Sequence, residues 1–249
     1  MDIFYSMIFS GHTAVVTGGR GALGEAVVRR FLDAGARVAV PVRPDTGVHS
    51  SSQEAMPGSP VRLTDPNFFE SPCDVSREED VRAFFRAVRS TWGDPDILVH
   101  AAGGYAGGAR IEETSAETWE TMLATNLRSA FLFAREALPD MRRKGFGRVV
   151  FVSAFTALRP RAGSGAYAVA KRGLLTLMEV MAEEVKGTGI TANAVAPTIL
   201  RTDANRQAMP DADTNLWVPV GEVAGVILML CSPESGGING TTMALRGGL

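Results

Sequence analysis

Residues 12–43, HTAVVTGGRGALGEAVVRRFLDAGARVAVPVR, constrain the fold more than any other stretch. Residues 14–17 are a short apolar, β-branched run, which predicts a buried strand. A glycine-rich turn follows, and then Leu23, Val27, Val28, Phe31 and Leu32 recur at helical spacing. Gly35 is placed to stop that helix, and residues 38–42 form a second strand. Such a βαβ unit of about thirty residues closes with a right-handed crossover. The alternation then continues to the end of the chain, with strands predicted at 68–73, 97–101, 148–153, 191–196 and 242–245. Helices are predicted at 78–91, 116–143, 165–186 and 220–231, the first opened by Ser76 with Glu79 as a capping box. Strands alternating with helices throughout imply an α/β, doubly wound parallel sheet with helices on both faces. No linker or repeat interrupts the pattern, so residues 1–249 read as a single domain. Two segments are irregular. Residues 44–66 read as loop with one weak helical turn at 53–56, and the polar, Pro-containing residues 198–218 as a mobile loop.

Charge and cysteine usage narrow the function classes. Lys and Arg total 25 against 27 Asp and Glu, a net charge of −2, which argues against a nucleic-acid partner and against an anionic membrane. Hydrophobic residues at 45% and charged residues at 21% exclude wholesale disorder. Cys73 and Cys231 lie far apart with no CxxC spacing. A disulfide framework or a cysteine metal site is therefore not expected, and a reducing, cytoplasmic setting is. No apolar run approaches the roughly 18 residues of a membrane span. The opening MDIFYSMIFSG lacks a basic start and carries Asp2, so it reads as a lead-in rather than a signal peptide.

The turn after the first strand supplies Gly18, Arg20, Gly21, Ala22, Leu23 and Gly24. Between a strand and a helix, glycines let the backbone approach a pyrophosphate, whose charge the helix N-terminus stabilises. A tight βα turn without a ligand has the same composition. At the end of the second strand an NAD site normally presents a carboxylate to the ribose hydroxyl. Here Val42 is followed by Arg43. A carboxylate would repel a 2′-phosphate and an arginine can bind one, so Arg43, with Arg20 beside it, favours NADP over NAD.

Residues 165–173 read GAYAVAKRG, placing Tyr167 and Lys171 on one helix face a turn apart. A free tyrosine, with a pKa of about 10, is a poor acid–base at neutral pH. A neighbouring ammonium lowers that value, and such a phenol can give a proton to a carbonyl oxygen while a hydride reaches the carbon. Exposed helix faces often hold both residue types, so the pair by itself is weak.

Taken together, these motifs resemble the short-chain dehydrogenase/reductase family over almost the full chain. TGGRGALG resembles its TGxxxGxG turn, with Ala22 at the middle glycine. Cys73-Asp74-Val75 resembles the Asp that follows the third strand and touches the adenine. His100-Ala101-Ala102-Gly103 stands where the family has Asn-Asn-Ala-Gly, which makes His100 a strand-end structural donor. Asn126 in ATNLRSAF matches a helix asparagine of the family's proton relay, Tyr167 to Lys171 matches YxxxK, and Asn193 to Pro197 matches the strand and proline beside the nicotinamide.

The resemblance implies a Rossmann-type fold and NAD(P)(H)-dependent hydride transfer between the cofactor and a carbonyl, alcohol or imine. Tyr167 would be the acid–base and Lys171 the ribose-holding cation. Asn126 would hold a water. A homodimer or homotetramer acting on a small molecule is the expected assembly, with residues 198–218 as a lid and substrate loop over the pocket. The family serine, 13 residues before the tyrosine, falls on Ala154; Ser153 is the candidate one residue away. AGGYAGG at 102–108 and the stretch at 204–217 resemble dihydropteridine reductases more narrowly, which leaves a dihydropteridine-type reductase as one alternative and a non-catalytic dinucleotide-binding member as another.

Overall fold

The computed structural model describes residues 8–44 and 65–248. The weak turn expected at 53–56 and the N-terminal lead-in through residue 7 lie outside them. In chain order the elements are β1 (Thr13–Thr17), α1 (Ala22–Asp33), β2 (Arg37–Val42), β3 (Phe68–Pro72), α2 (Glu78–Trp92), β4 (Ile97–His100), α3 (Ala116–Leu123), α4 (Ser129–Lys144) and β5 (Gly147–Val152). They continue with α5 (Phe155–Leu158), α6 (Gly165–Glu184), β6 (Ile190–Pro197), β7 (Leu200–Arg201), α7 (Asp203–Ala208), β8 (Val218–Pro219), α8 (Val220–Cys231) and β9 (Thr242–Leu245).

Seven strands form one parallel sheet in the order β3-β2-β1-β4-β5-β6-β9. Alternate side chains feed two separate cores. Val15, Leu98 and Val149 point to the face covered by α2, α4 and α6, where Phe84, Phe85, Phe133 and Leu174 pack. Ala14, Val16, Val38 and Val99 point to the other face, covered by α1 and α8 through Val27, Phe31, Val223 and Ile227. Period-two alternation therefore decides which helices each strand residue meets. The strand order reverses between β1 and β4, and the loops at the carboxyl ends of these two strands flank the crevice where such sheets bind ligands.

Three details depart from the sequence reading. The helix expected at 116–143 is two helices separated by a π turn at Ala124–Arg128, where the Ser129 amide reaches back to the Ala124 carbonyl. Ser76 does not cap α2. That helix starts from Arg77 without a side-chain cap, and Ser76 instead donates through both its amide and its hydroxyl to Asp74 Oδ1, at 2.9 and 2.7 Å. The segment 198–218, expected as a mobile loop, contains α7 and a small parallel ladder in which Leu200 pairs with Val218.

Candidate active site

The glycine turn is built by backbone proximity. Gly18 has φ +68°, and a Cβ there would lie 2.9 Å from the main chain of Ala101 and Ala102, so only glycine fits. A Cβ on Gly24 would fall 2.0 Å from the Gly18 carbonyl oxygen. Gly21 precedes α1 in extended conformation and no side chain caps the helix. The first amides of Ala22, Leu23 and Gly24 thus face the turn at the positive end of α1. The Leu23 side chain itself is buried in the core, so this residue offers backbone only. Thr17 at the end of β1 accepts the Ala102 amide at 3.0 Å and ties the turn to the β4 tip.

The selectivity residues separate. Arg20, grouped with Arg43 on sequence, forks onto Glu70 of β3, with Nε–Oε1 at 3.0 Å and Nη2–Oε2 at 2.7 Å. Its charge is met by a carboxylate 50 residues away, which no local pattern announces. Arg43 stands exposed beyond β2. Asp74 is held below the usual carboxylate range: burial alone would raise it, but the two Ser76 hydrogen bonds and the charges of Arg43 and Arg77 outweigh that. Val75 packs against the α2 side of the core.

Asn126, in the π turn, is fully buried. Its Oδ1 accepts the Gly104 amide at 3.2 Å, and its Nδ2 donates to the carbonyls of Gly104 and Met122 at 3.1 and 3.0 Å. Lys171 rises from α6 and is also buried, its Nζ donating to the Val152 carbonyl at 2.8 Å. Gly103 lies between the two. A Cβ there would meet Asn126 Oδ1 at 2.7 Å and Lys171 Nζ at 3.2 Å. Asn126, Lys171 and the β4 tip thus converge at Gly103. Burial lowers the Lys171 pKa to about 8.

Tyr167 corrects an expectation. Its pKa is pushed up to about 12, by burial first and then by Tyr105, rather than drawn down by Lys171. Lys171 Nζ stands 5.9 Å from the Tyr167 ring centroid and donates to a main-chain carbonyl. Tyr105, 69% exposed, meets Tyr167 edge to face with centroids 5.0 Å apart. Sequence reasoning gave Tyr105 no role. Its setting in AGGYAGG, one of three tyrosines in the chain, was the available signal.

Ser153 is a second correction. Val149, Phe151 and Ser153 share a face of the strand, and that face meets α6. The Ser153 hydroxyl accordingly donates to the Lys171 carbonyl at 3.0 Å. The proton that would serve a substrate oxygen holds α6 instead. Pro197 ends β6 in register with Leu245 of β9.

A glycine cradle at a helix N-terminus, a tyrosine and a buried lysine define a dinucleotide-binding oxidoreductase. A family model described as enoyl-(acyl carrier protein) reductase matches residues 19–249. The 3-oxoacyl-[acyl-carrier-protein] reductase of Vibrio cholerae is 29% identical over 98% of this chain and 99% of its own. The D-beta-hydroxybutyrate dehydrogenase of Cupriavidus necator is 33% identical over 91% of this chain and 85% of its own. An actinorhodin polyketide ketoreductase crystallised with NADPH superposes with a TM-score of 0.82 at 26% identity, covering 96% of this chain and 97% of that one. The chain belongs to the short-chain dehydrogenase/reductase family. It is a nicotinamide-dependent oxidoreductase acting between carbonyl and alcohol. Among the described residues no helix is long and apolar enough to cross a membrane.

Proposed function

We propose that this chain reduces a ketone with NADPH and that Tyr167 gives the proton. The observation that carries the reading is the meeting of Asn126 Oδ1 and Lys171 Nζ at Gly103, with Tyr167 one turn before Lys171 on α6. The cradle fits a dinucleotide. Gly18, Gly21, Ala22, Leu23 and Gly24 would hold the pyrophosphate by backbone amides, and Asp74 with the backbone of Val75 would meet the adenine. Ala101, Ala102, Gly103 and Pro197 would flank the nicotinamide. When bound, the nicotinamide supplies a hydride. Lys171 has two of its three N–H donors beyond the Val152 bond and would give them to ribose hydroxyls. Asn126 would hold a water that returns protons to Lys171.

With its pKa raised to about 12, the Tyr167 phenol is protonated at neutral pH, the form in which it would give a proton to a carbonyl oxygen. NADPH is favoured by Arg43, which is exposed beyond β2, a strand that ends without a carboxylate. Arg20 is a weaker candidate because Glu70 already neutralises it. The names of the relatives support a 3-oxoacyl-type ketone as the substrate class. The test is oxidation of NADPH and NADH with a panel of 3-oxo thioesters and simple ketones. NADPH is expected to give the higher kcat/KM, and Tyr167→Phe to lose roughly 10²- to 10⁴-fold in kcat. Absence of turnover across the panel, a preference for NADH, or an unaffected Phe variant overturns the reading.

A further inference from the structure

His100 ends β4 with its ring fully buried, yet both ring nitrogens have polar neighbours. Nδ1 lies 3.0 Å from Thr17 Oγ1, and Nε2 lies 3.1 Å from Ser129 Oγ. Each hydroxyl has a second partner, and the one on Ser129 fixes the direction of the whole line. Ser129 donates to the Thr125 carbonyl at 2.6 Å, so toward His100 it can only accept, and Nε2 must carry the proton. Nδ1 is then bare and accepts the Thr17 proton, while Thr17 itself accepts the Ala102 amide. The bonds run head to tail from the Ala102 amide through Thr17, His100 and Ser129 to the Thr125 carbonyl. A second ring proton would leave the Thr17 hydroxyl proton without an acceptor. Burial, with the Lys171 charge acting in the same sense, holds the His100 pKa down at about 3.

Both ends of this line abut the candidate active site. Ala102 directly precedes Gly103, and Thr125 directly precedes Asn126 inside the π turn. Gly103 is the point where Asn126 and Lys171 meet. We propose that His100, as its Nε2–H tautomer, is a positioning residue that sets the spacing between the β4 tip and the π turn, and so places Asn126 against Gly103 and Lys171. The ring is rigid, with an acceptor and a donor at opposed corners, so it acts as a spacer of fixed length. The Phe133 and Phe151 rings pack beside it, with centroids 6.0 and 6.4 Å away, in a fully buried setting.

The proposal rests on the reductase reading only for its kinetic arm. In the first arm, nitrogen NMR of the histidines in the whole protein is expected to show His100 with a protonated Nε2 and a bare Nδ1, unchanged between about pH 8 and pH 5. The opposite tautomer, or titration near the ordinary histidine value, overturns the proposal. In the second arm, His100→Phe keeps the ring shape without either hydrogen bond, and His100→Gln keeps one acceptor and one donor. His100→Phe is expected to lower kcat roughly 10- to 100-fold at unchanged KM for NADPH, because small misplacements of active-site groups have effects of that size. His100→Gln is expected to recover most of the loss. A Phe variant within about twofold of wild type per folded molecule, or a Gln variant equally impaired, overturns it. Should His100→Phe not fold, Ser129→Ala breaks the next link and is read in the same way. If wild type has no ketone turnover, the reductase reading falls and the NMR arm still decides the role of His100.

Discussion

Two buried cations bracket β5, and neither forms an ion pair with a carboxylate among the described residues. Arg148, at the start of the strand, donates to four carbonyls: Ser232, Gly147, Gly189 and Pro233, at 2.8–3.1 Å. Its guanidinium also covers the Phe146 ring at 4.4 Å. Lys171, at the far end, donates among the described residues to one acceptor, the Val152 carbonyl, with the Tyr167 ring 5.9 Å away. The same burial of charge therefore has opposite meanings. Arg148 is nearly saturated and closes the junction between β5, β6 and the end of α8. Lys171 keeps two donors without a protein acceptor beside a glycine that clears space for it. A buried charge with unused hydrogen-bonding capacity is a mark of a site, whereas a fully bonded one is a mark of architecture.

This contrast can be broken at three points. The largest effect is expected for Lys171→Met. It should lower kcat roughly 10²- to 10⁴-fold while leaving urea stability equal to or above wild type, because an incompletely compensated buried charge is removed. The sign with pH is defined. The folded pKa of Lys171, about 8, lies below its ordinary 10.5, so the unfolded chain binds more protons between those values. Wild-type stability should gain a contribution as pH rises through that window, and the Met variant should lack it. A Met variant that unfolds in the cold or keeps full activity would erase the distinction between the two cations.

Arg148→Met should do the reverse. Four carbonyls lose their donors together, for a destabilisation of about 3–5 kcal/mol in urea titration. The fraction that remains folded should retain kcat within roughly twofold, since no group near Gly103 is touched. A Tm unchanged from wild type would show that water replaces the guanidinium and that Arg148 is not architecture.

The smallest effect is expected for Ser153→Ala. Loss of its bond to the Lys171 carbonyl should cost about 1 kcal/mol of stability, with kcat within about threefold of wild type. A hundredfold fall in kcat would return Ser153 to the catalytic set and reverse the correction made from its geometry.

Much of this was legible in the chain because it is local. The βαβ unit at 12–43 announces itself by periodicity, and the four-residue spacing of Tyr167 and Lys171 follows from helical geometry. The direction of Ser153 was also within reach: strand alternation from Val149 fixes its face once α6 is known to cover that side. What escaped is nonlocal or unmarked by composition. The Arg20–Glu70 pair joins a turn to a strand 50 residues on. The π turn at 124–128 has no residue signature, because ATNLR would continue an ordinary helix equally well. The raised Tyr167 pKa depends on burial and on a neighbouring ring from another loop, neither of which spacing encodes.

That π turn has a mechanical consequence. A widened turn is, in effect, one residue inserted into a continuous rod. Downstream of it, Phe133 keys into the aromatic core, and within it Asn126 bonds to the Gly104 main chain. The insertion uncouples the two phases, so mutations can retune the rotation of the segment before it without turning the packed segment after it. Removal of one residue from the turn would lock the two halves of the rod into one angular register.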